Sequence, residues 1–541
     1  MKIILPRILR RVNLMKVFKH KSKRKNTSVN TSVCNCISKN IEKNIEKIKS
    51  ELGAPSDLTI KIFEQDNNKG LKYANIFIET LVNKDSVDSL STNMIETLKQ
   101  NNNQEVSTPE EYFRIFRNYS LSFRKSEEGS DFDSLLNDLL SGKTVLLVDG
   151  YDMFISIDIF SIEGRAVEEP STQSVVRGPK EGFVEEINVN ISLVRNRLKT
   201  KDLRIESLTI GNISNTKIKL MYIDNIAKKD IVDEIIRRLR KIKIDAVLDS
   251  GNIEELIKDD RYSIFPELLN SEKPDSVAAN LLEGRVAIFV DGSAYVLTAP
   301  ALFVEFLQVS EDYYHHFIVS TFIRIIRYGA FLLTLFVPAL FVSLITFHQE
   351  MIPTPLLINI ASQREGVPFP AFVEAMLMES VFEILREAGI RMPRVIGPAI
   401  SIVGALVLGQ AAVEAGIVSA FMVIVVSITA ISSFAIPNYS LANAIRLIRF
   451  ALMVSAGMFG LYGVFMGFIA MLLHLCKLKS IGIPYMTPVA PKIKNATKDT
   501  IIRYPLWLNK TRPAGISGLN VPRVDADNVV TKKEKENPEF R

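Results

Sequence analysis

The sequence predicts a two-part chain: an α/β region of two subdomains, then an α-helical transmembrane domain of about four spans plus an amphipathic helix. Three observations carry this. Charged residues are spread throughout up to about residue 320 and then give way to long uncharged runs. Within the charged half, strand-like and helix-like patterns alternate, as in mixed α/β domains. A unit at Leu139–Gly150 (LLSGKTVLLVDG) is echoed at Leu281–Gly292 (LLEGRVAIFVDG). Each unit reads as a helix end capped by glycine, a buried strand, and an Asp-Gly turn into a second strand.

The division is expected as follows: a basic disordered arm at 1–36, an N-terminal α/β subdomain at 37–130 and a second at 131–315. A membrane domain at 316–476 follows, then a basic, largely disordered tail at 477–541. Ile37, Ile41, Ile45, Ile48 and Leu52 mark one face of an amphipathic helix. Leu58–Phe63 and Ala74–Thr80 read as extended, and 84–130 as helical pieces and loops. Glu181–Leu198 reads as helical, Leu203–Ile210 and Ile218–Ile223 as strands, and Asp230–Ile242 as a basic-faced helix.

A membrane helix needs ~20 mostly apolar residues to cross ~30 Å of hydrocarbon. Tyr328–Phe347, Val395–Val413, Ile417–Ile436 and Phe450–Leu475 qualify, the last long enough to tilt. Pro338 is tolerated inside such a helix and kinks it. Pro370–Ala388 is different, because Glu374, Glu379, Glu383, Arg386 and Glu387 interrupt its apolar residues. Each central charge costs ~2.5–3.5 kcal/mol on insertion scales, which argues against a lipid-exposed span. It reads as an interfacial amphipathic helix, as a water-facing helix in an assembly with carboxylates along an ion path, or as a helix with a solvated acidic face. Gln410 stands at the end of the second span and Glu414 in the hinge to the third, Glu414 as a turn residue or a buried proton carrier. Four spans put both basic termini on the cytosolic side, yet leave Arg446 and Arg449 outside, against the positive-inside bias.

Residues 1–25 carry ten Lys/Arg and no Asp or Glu, so the net charge of +6 belongs to this arm. The arm reads either as an attraction to anionic lipid or as a solvated tail. It lacks the apolar core and cleavage site of a secretory signal. A nucleic-acid partner is not expected, because the basic excess enters no folded segment. Cys34, Cys36 and Cys476 supply neither a disulfide framework nor a four-ligand zinc site, which points to a reducing compartment. Gly142-Lys143-Thr144 is no phosphate loop, since Asn137 stands where the first glycine belongs and the segment enters a strand. No nucleophile–base set or metal cluster is apparent, so no catalytic residue, cofactor or metal is expected. His315-His316, among Tyr313, Tyr314 and Arg324, reads as a membrane-boundary anchor.

The run from Arg386 to Pro437 resembles the signature region of the A subunit of spore germinant receptors, the GerA family. Arg177-Gly178-Pro179-Lys180-Glu181-Gly182-Phe183 with Asn190–Arg195 resembles a second block of that family, as do Ser271–Asp275 and Gly284–Gly292, which includes Asp291. His348–Pro353, Arg364-Glu365-Gly366-Val367-Pro368-Phe369-Pro370, Phe382–Arg391 and Pro437–Phe450 resemble further blocks. The resemblance covers about 130–515. Lys273 stands where the family often has Arg, and Ala420 near where it often has Pro. Neither change alters a charge or a span.

The resemblance implies a non-enzymatic receptor component in the inner membrane of a bacterial endospore, with its large N-terminal domain cytosolic. Such A subunits act with a transporter-like, nutrient-binding B subunit and a C-subunit lipoprotein. They are expected to oligomerise, as a ring of five, into a nutrient-gated cation channel whose opening starts germination. The competing readings are a secondary transporter of a small solute, a membrane-tethered enzyme and a pure scaffold. Absent inverted repeats weaken the first, and the missing nucleophile and nucleotide motifs weaken the second.

Overall fold

The computed structural model describes residues 36–64, 72–100, 108–120, 126–160, 169–170, 172–392, 409–493, 499–513, 515–518 and 522–523. The basic arm and most of the expected span 395–413 lie outside these residues. The first lobe contains α1 (Ile41–Leu52), β1 (Leu58–Glu64), β2 (Lys72–Ile78), α2 (Lys84–Gln100), α3 (Pro109–Ser120), β3 (Ser126–Gly129), α4 (Phe132–Leu140), β4 (Lys143–Val148) and β5 (Phe154–Asp158). The second contains α5 (Ile187–Arg197), β6 (Leu203–Ile210), β7 (Thr216–Ile223), α6 (Lys229–Lys241), α7 (Ser250–Ile257), β8 (Leu269–Ser271), α8 (Pro274–Leu282), β9 (Val286–Val290) and β10 (Val296–Ala299).

The two sheets have one topology, β1-β2-β4-β5-β3 and β6-β7-β9-β10-β8, with every pairing antiparallel. The boundary expected at 130 therefore falls inside the first sheet: Tyr73 pairs with Val148 and Ile76 with Val145, so strands from both sides of it share one ladder. The echoed units occupy α4–β4–β5 and α8–β9–β10. Gly142 and Gly284 have φ +85° and +95°, and Gly150 and Gly292 have +85° and +86°, a region open to glycine at little cost. The likeness extends to side-chain bonds. Asp149 accepts from the Ile41 amide at 3.0 Å and Asp291 from the Ile187 amide at 3.4 Å. Asn44 clamps both backbone groups of Ser38, and Asn190 clamps those of Val184 in the same way. Helix α5 begins only at Ile187; the Glu181–Glu186 stretch expected to be helical runs as a loop, its Phe183 amide donating to Glu272 O at 2.8 Å.

The lobes are joined by a buried ion pair. Arg195 Nε and Nη2 donate to Asp57 Oδ2 and Oδ1 at 2.7 and 2.8 Å, and the Thr80 hydroxyl adds a third bond at 2.9 Å. The bidentate fork satisfies charges that could not stay buried alone.

The helical part begins with α9 (Phe317–Phe347), which starts well before the expected Tyr328. Helices α10 (Thr354–Arg364), α11 (Ala371–Arg391), α12 (Ala420–Phe434) and α13 (Tyr439–Lys477) follow. Among the described residues, α9 is long and apolar enough to cross a membrane, and so by length and composition is the stretch assigned to α13; α12, at 15 residues, is shorter than the span expected at 417–436. The span expected at 450–475 is not one continuous helix. Gly460 has φ 62° and ψ −144°, and the chain reverses there. A Cβ on Gly463 would lie 2.2 Å from Ser455 O, and one on Gly467 2.6 Å from Leu452 Cδ2. Residues 439–459 and 461–477 are thus the two arms of a hairpin whose glycines let the backbones touch. Its ends return to the second lobe: Asn270 Nδ2 donates to Ser440 Oγ at 3.3 Å, and His474 lies 3.0 Å from Ser263 Oγ.

The tail beyond 477 is not simply disordered. Leu478, Ile481, Tyr485 and Ile516 are buried, and β11 (Lys479–Ser480) pairs with β12 (Ile483–Pro484). These side chains pack on Phe303, Phe306 and the second lobe, so apolar burial outweighs the basic composition that suggested a free tail.

Replacing Asp57 by Ala leaves Arg195 buried without its partner and is expected to cost about 3–5 kcal/mol. The double replacement Asp57→Ala with Arg195→Met should recover much of that. Chemical unfolding of the purified full chain measures both; equal losses for the single and double variants would exclude the pair as the joint.

Candidate functional site

The acidic helix α11 runs antiparallel to the first arm of α13. Phe372 sits against Gly457 near the hairpin turn, where a Cβ would meet its ring at 2.7 Å. At the other end, Ile390 and Tyr439 line one cavity beside the second lobe. Three carboxylates of α11 turn into the bundle. Glu379, fully buried, lies 2.9 Å from Arg449 Nη2, which also donates to Glu383 at 2.8 Å. Arg446 Nη1 donates to the other Glu383 oxygen at 3.2 Å, and its Nη2 donates to Asn443. Glu374 accepts from the amide and hydroxyl of Ser419, both at 2.6 Å, with Arg364 at 3.5 Å. Ser419 is the N-cap of α12, so this carboxylate ties the start of α12 to α11 and meets the positive end of the helix.

The arginines left on the wrong side by a four-span count are thus internal. The arm carrying Arg446 and Arg449 leaves the second lobe at Tyr439, and both guanidinium groups pair with carboxylates of α11. Arg386 stacks on Phe434 at 5.4 Å. Glu387 is exposed and paired with Arg391 at 2.6 Å. Gln410 donates to Glu414 at 2.9 Å on the exposed surface, where Glu414 ends a helix just before the chain reversal at Gly416.

The outward face of α11 is a different set. Val373, Leu377, Ser380, Ile384, Glu387 and Arg391 are exposed at alternating spacings of four and three, one continuous stripe along the helix. Between α11 and α12 lies an apolar cavity of about 920 Å³ bordered by Met378, Phe382, Val426 and Phe434.

The remaining singled-out residues assemble at the junction of the second lobe with the bundle. The Arg177 amide donates to Glu311 at 3.0 Å, and Gly178 packs against the Tyr314 ring. Tyr314 donates to Asp275 Oδ2 at 2.6 Å, and Lys273 lies 3.5 Å from the same atom. Pro179 leads into Glu181, which pairs with Arg197, and Gly182 is buried behind it. Pro353 caps α10, Glu365 is exposed at its end, and Pro437 lines a cavity of about 520 Å³ with Asp249, Glu254 and Tyr295. Sequence reasoning missed the hub of this junction. Arg324, fully buried, donates to Asp312 at 2.9 Å and Asp499 at 2.7 Å, and Arg327 donates to Asp312 at 2.8 Å. Arginines among apolar residues at the start of a membrane helix, with acids on both flanking segments, were the available signal.

The model for the Bacillus/Clostridium GerA spore germination protein matches residues 46–515. The chain belongs to the GerA spore germination protein family. Spore germination protein KA of Bacillus subtilis (strain 168) is 46% identical over 473 residues, 87% of this chain and 85% of that protein. Spore germination protein GerLA of Bacillus cereus is 40% identical over 466 residues, 86% of this chain and 93% of that protein. The crystal structure of the N-terminal domain of the A subunit of the Bacillus megaterium spore germinant receptor GerK3 is 34% identical, covers 50% of this chain and 97% of that one, and has a TM-score of 0.39. Family membership supports a role in germination, and together with the long apolar helix α9 and the apolar hairpin of α13 it points to a membrane protein.

Among the described residues no group of His, Cys, Asp or Glu could hold a metal ion, and the site's charges are spent on helix-to-helix pairing. Its chemistry is that of a clamp: acids on α11 fix its position against α12 and α13. Breaking one side of the Glu379–Arg449 contact, by Arg449→Met, is expected to cost about 3–5 kcal/mol. The paired Glu379→Leu with Arg449→Met should be far milder, read as the yield and thermal midpoint of detergent-purified protein. At the junction, Glu267 accepts the amides of Asp259 and Asp260 at 2.6 and 3.1 Å, and burial pushes its carboxyl from 4.5 up to about 7. Its proton is held more tightly folded than unfolded, so this group's contribution to stability declines as pH rises from 4.5 to about 7. Glu267→Gln should flatten that slope; identical pH profiles of the unfolding midpoint for both proteins would contradict it.

Proposed function

We propose that this chain is the A-type, non-enzymatic subunit of a nutrient-sensing germinant receptor in the inner membrane of the endospore. Its α/β lobes face the cytosol, and copies of it, as a ring of five, enclose a cation path. A transporter-like B subunit binds the nutrient, a C-subunit lipoprotein completes the receptor, and opening of the path releases cations and starts germination. The observation that carries this reading is the division of labour on α11. Of its inner acids, Glu379 and Glu383 pair with Arg449 and Arg446, and Glu374 with Ser419 and Arg364, which permits a charged helix inside an apolar bundle. Its outer stripe presents Ser380 and Glu387 toward neighbouring copies, as a ring of acids lining a cation pore would require. Glu374, Glu379 and Glu383 then hold the helix in place, and Glu387 meets the ions.

In spores whose only A-type subunit is this chain, with B and C partners present, potassium release after nutrient addition tests the role. Glu387→Gln is expected to slow release several-fold with the protein level unchanged, whereas Ser362→Ala, on exposed α10, should not. Unaltered release and cation selectivity in the assembled Glu387→Gln receptor would remove α11 from the path.

A further inference from the structure

The segment Ile501–Leu508 is built inside out for a loop in water. Arg503 and Pro505 are buried, while Ile501, Ile502, Leu506, Trp507 and Leu508 are each 48–56% exposed. Arg503 stacks over Tyr313 at 5.5 Å and donates to its carbonyl at 3.4 Å, and its own amide donates to Thr321 Oγ1 at 3.2 Å. Asp499, just before the segment, accepts from Arg324 and from the Tyr313 hydroxyl. The polar groups thus hold the segment against the first turns of α9, and the apolar ones are left half-exposed on its outer surface. A contiguous exposed apolar patch of this kind marks a surface that meets something other than water.

Its position identifies the partner. Trp507 packs edge-on against Phe317 with centroids 5.7 Å apart. From there the outer face of α9 continues apolar through Ile318, Phe322, Ile325 and Leu333. At 1.5 Å per residue, the 31 residues of α9 span ~46 Å, close to the ~40–45 Å of a bilayer with its headgroup layers. Phe317 then stands at headgroup level on the side of the α/β lobes, and Trp507 with it. Trp combines an apolar ring with an N–H donor and concentrates at that depth. We infer that Ile501–Leu508 is an interfacial anchor that lies in the headgroup layer of the membrane and carries the C-terminal strap, and with it the α/β lobes, at a fixed height above the bilayer. The inference rests on α9 crossing the membrane.

Trp507 is the only tryptophan of the chain, so its fluorescence reads the segment alone. The full chain is reconstituted in phosphatidylcholine–phosphatidylglycerol vesicles, with phosphatidylcholine brominated either near the headgroup or at the chain end. The anchor predicts a blue-shifted emission that loses roughly half its intensity to bromine near the headgroup and much less to bromine at the chain end. Strongest quenching by chain-end bromine, or none by either lipid, would overturn it, the latter meaning water or a neighbouring protein covers the segment. A second protein, Trp507→Phe with Leu333→Trp, reports α9 itself. If that tryptophan is quenched by chain-end bromine and Trp507 is not quenched, the anchor fails and the spanning helix stands. If neither is quenched, the membrane placement of α9 fails and takes the anchor with it.

Discussion

Arg324 is the point on which the two halves of the molecule depend. Its guanidinium is fully buried where three parts of the chain meet: Asp312 just before α9, the start of α9 itself, and the distant C-terminal segment at Asp499. A buried guanidinium without carboxylates would cost several kcal/mol, and Asp312 alone leaves Arg324 Nη1 without the partner that Asp499 supplies, so the C-terminal segment completes the junction. The junction therefore sets how the α/β lobes sit on the helical bundle. Any movement of α9 relative to the lobes has to pull on this contact or on the neighbouring Tyr314–Asp275 bond.

The same logic recurs at each level. Asp57 with Arg195 joins the two lobes, and Glu379 and Glu383 with Arg449 and Arg446 join α11 to the hairpin. In each case charge is buried only where a partner from a distant segment meets it, so these contacts specify an arrangement more than they add stability. Apolar packing supplies the bulk of the cohesion, and the ion pairs select which packing forms. A helix with six charged residues can lie inside an apolar bundle because three of its acids turn inward onto partners.

The repeated unit was legible as letters because the turn geometry constrains them. Gly142, Gly150, Gly284 and Gly292 all have positive φ, and Asp149 and Asp291 accept amides from the helices that open each lobe. The rest of the duplication was not legible. Strands β1–β2 and β6–β7 share a place in the two sheets but little sequence, since any alternation of apolar residues builds a strand. The boundary expected at 130 missed for that reason: the pairing of β2 with β4 is a long-range event that no local pattern announces.

By itself the sequence determined the division into a charged α/β region and an apolar helical one, most individual helices and strands, and the family. These follow from composition, periodicity and glycine-marked turns, all of them local. Only the tertiary structure decided that 439–477 folds back at Gly460, because the apolar run 450–475 with its several glycines reads alike as one tilted helix or as parts of two arms. Only it decided that Glu374, Glu379 and Glu383 face inward while Glu387 faces out, since the orientation of α11 is fixed by arginines some 60 to 70 residues away. The strap was hidden for the same reason: its basic composition suggested solvent, and its burial depends on surfaces that exist only once the second lobe and α9 have met.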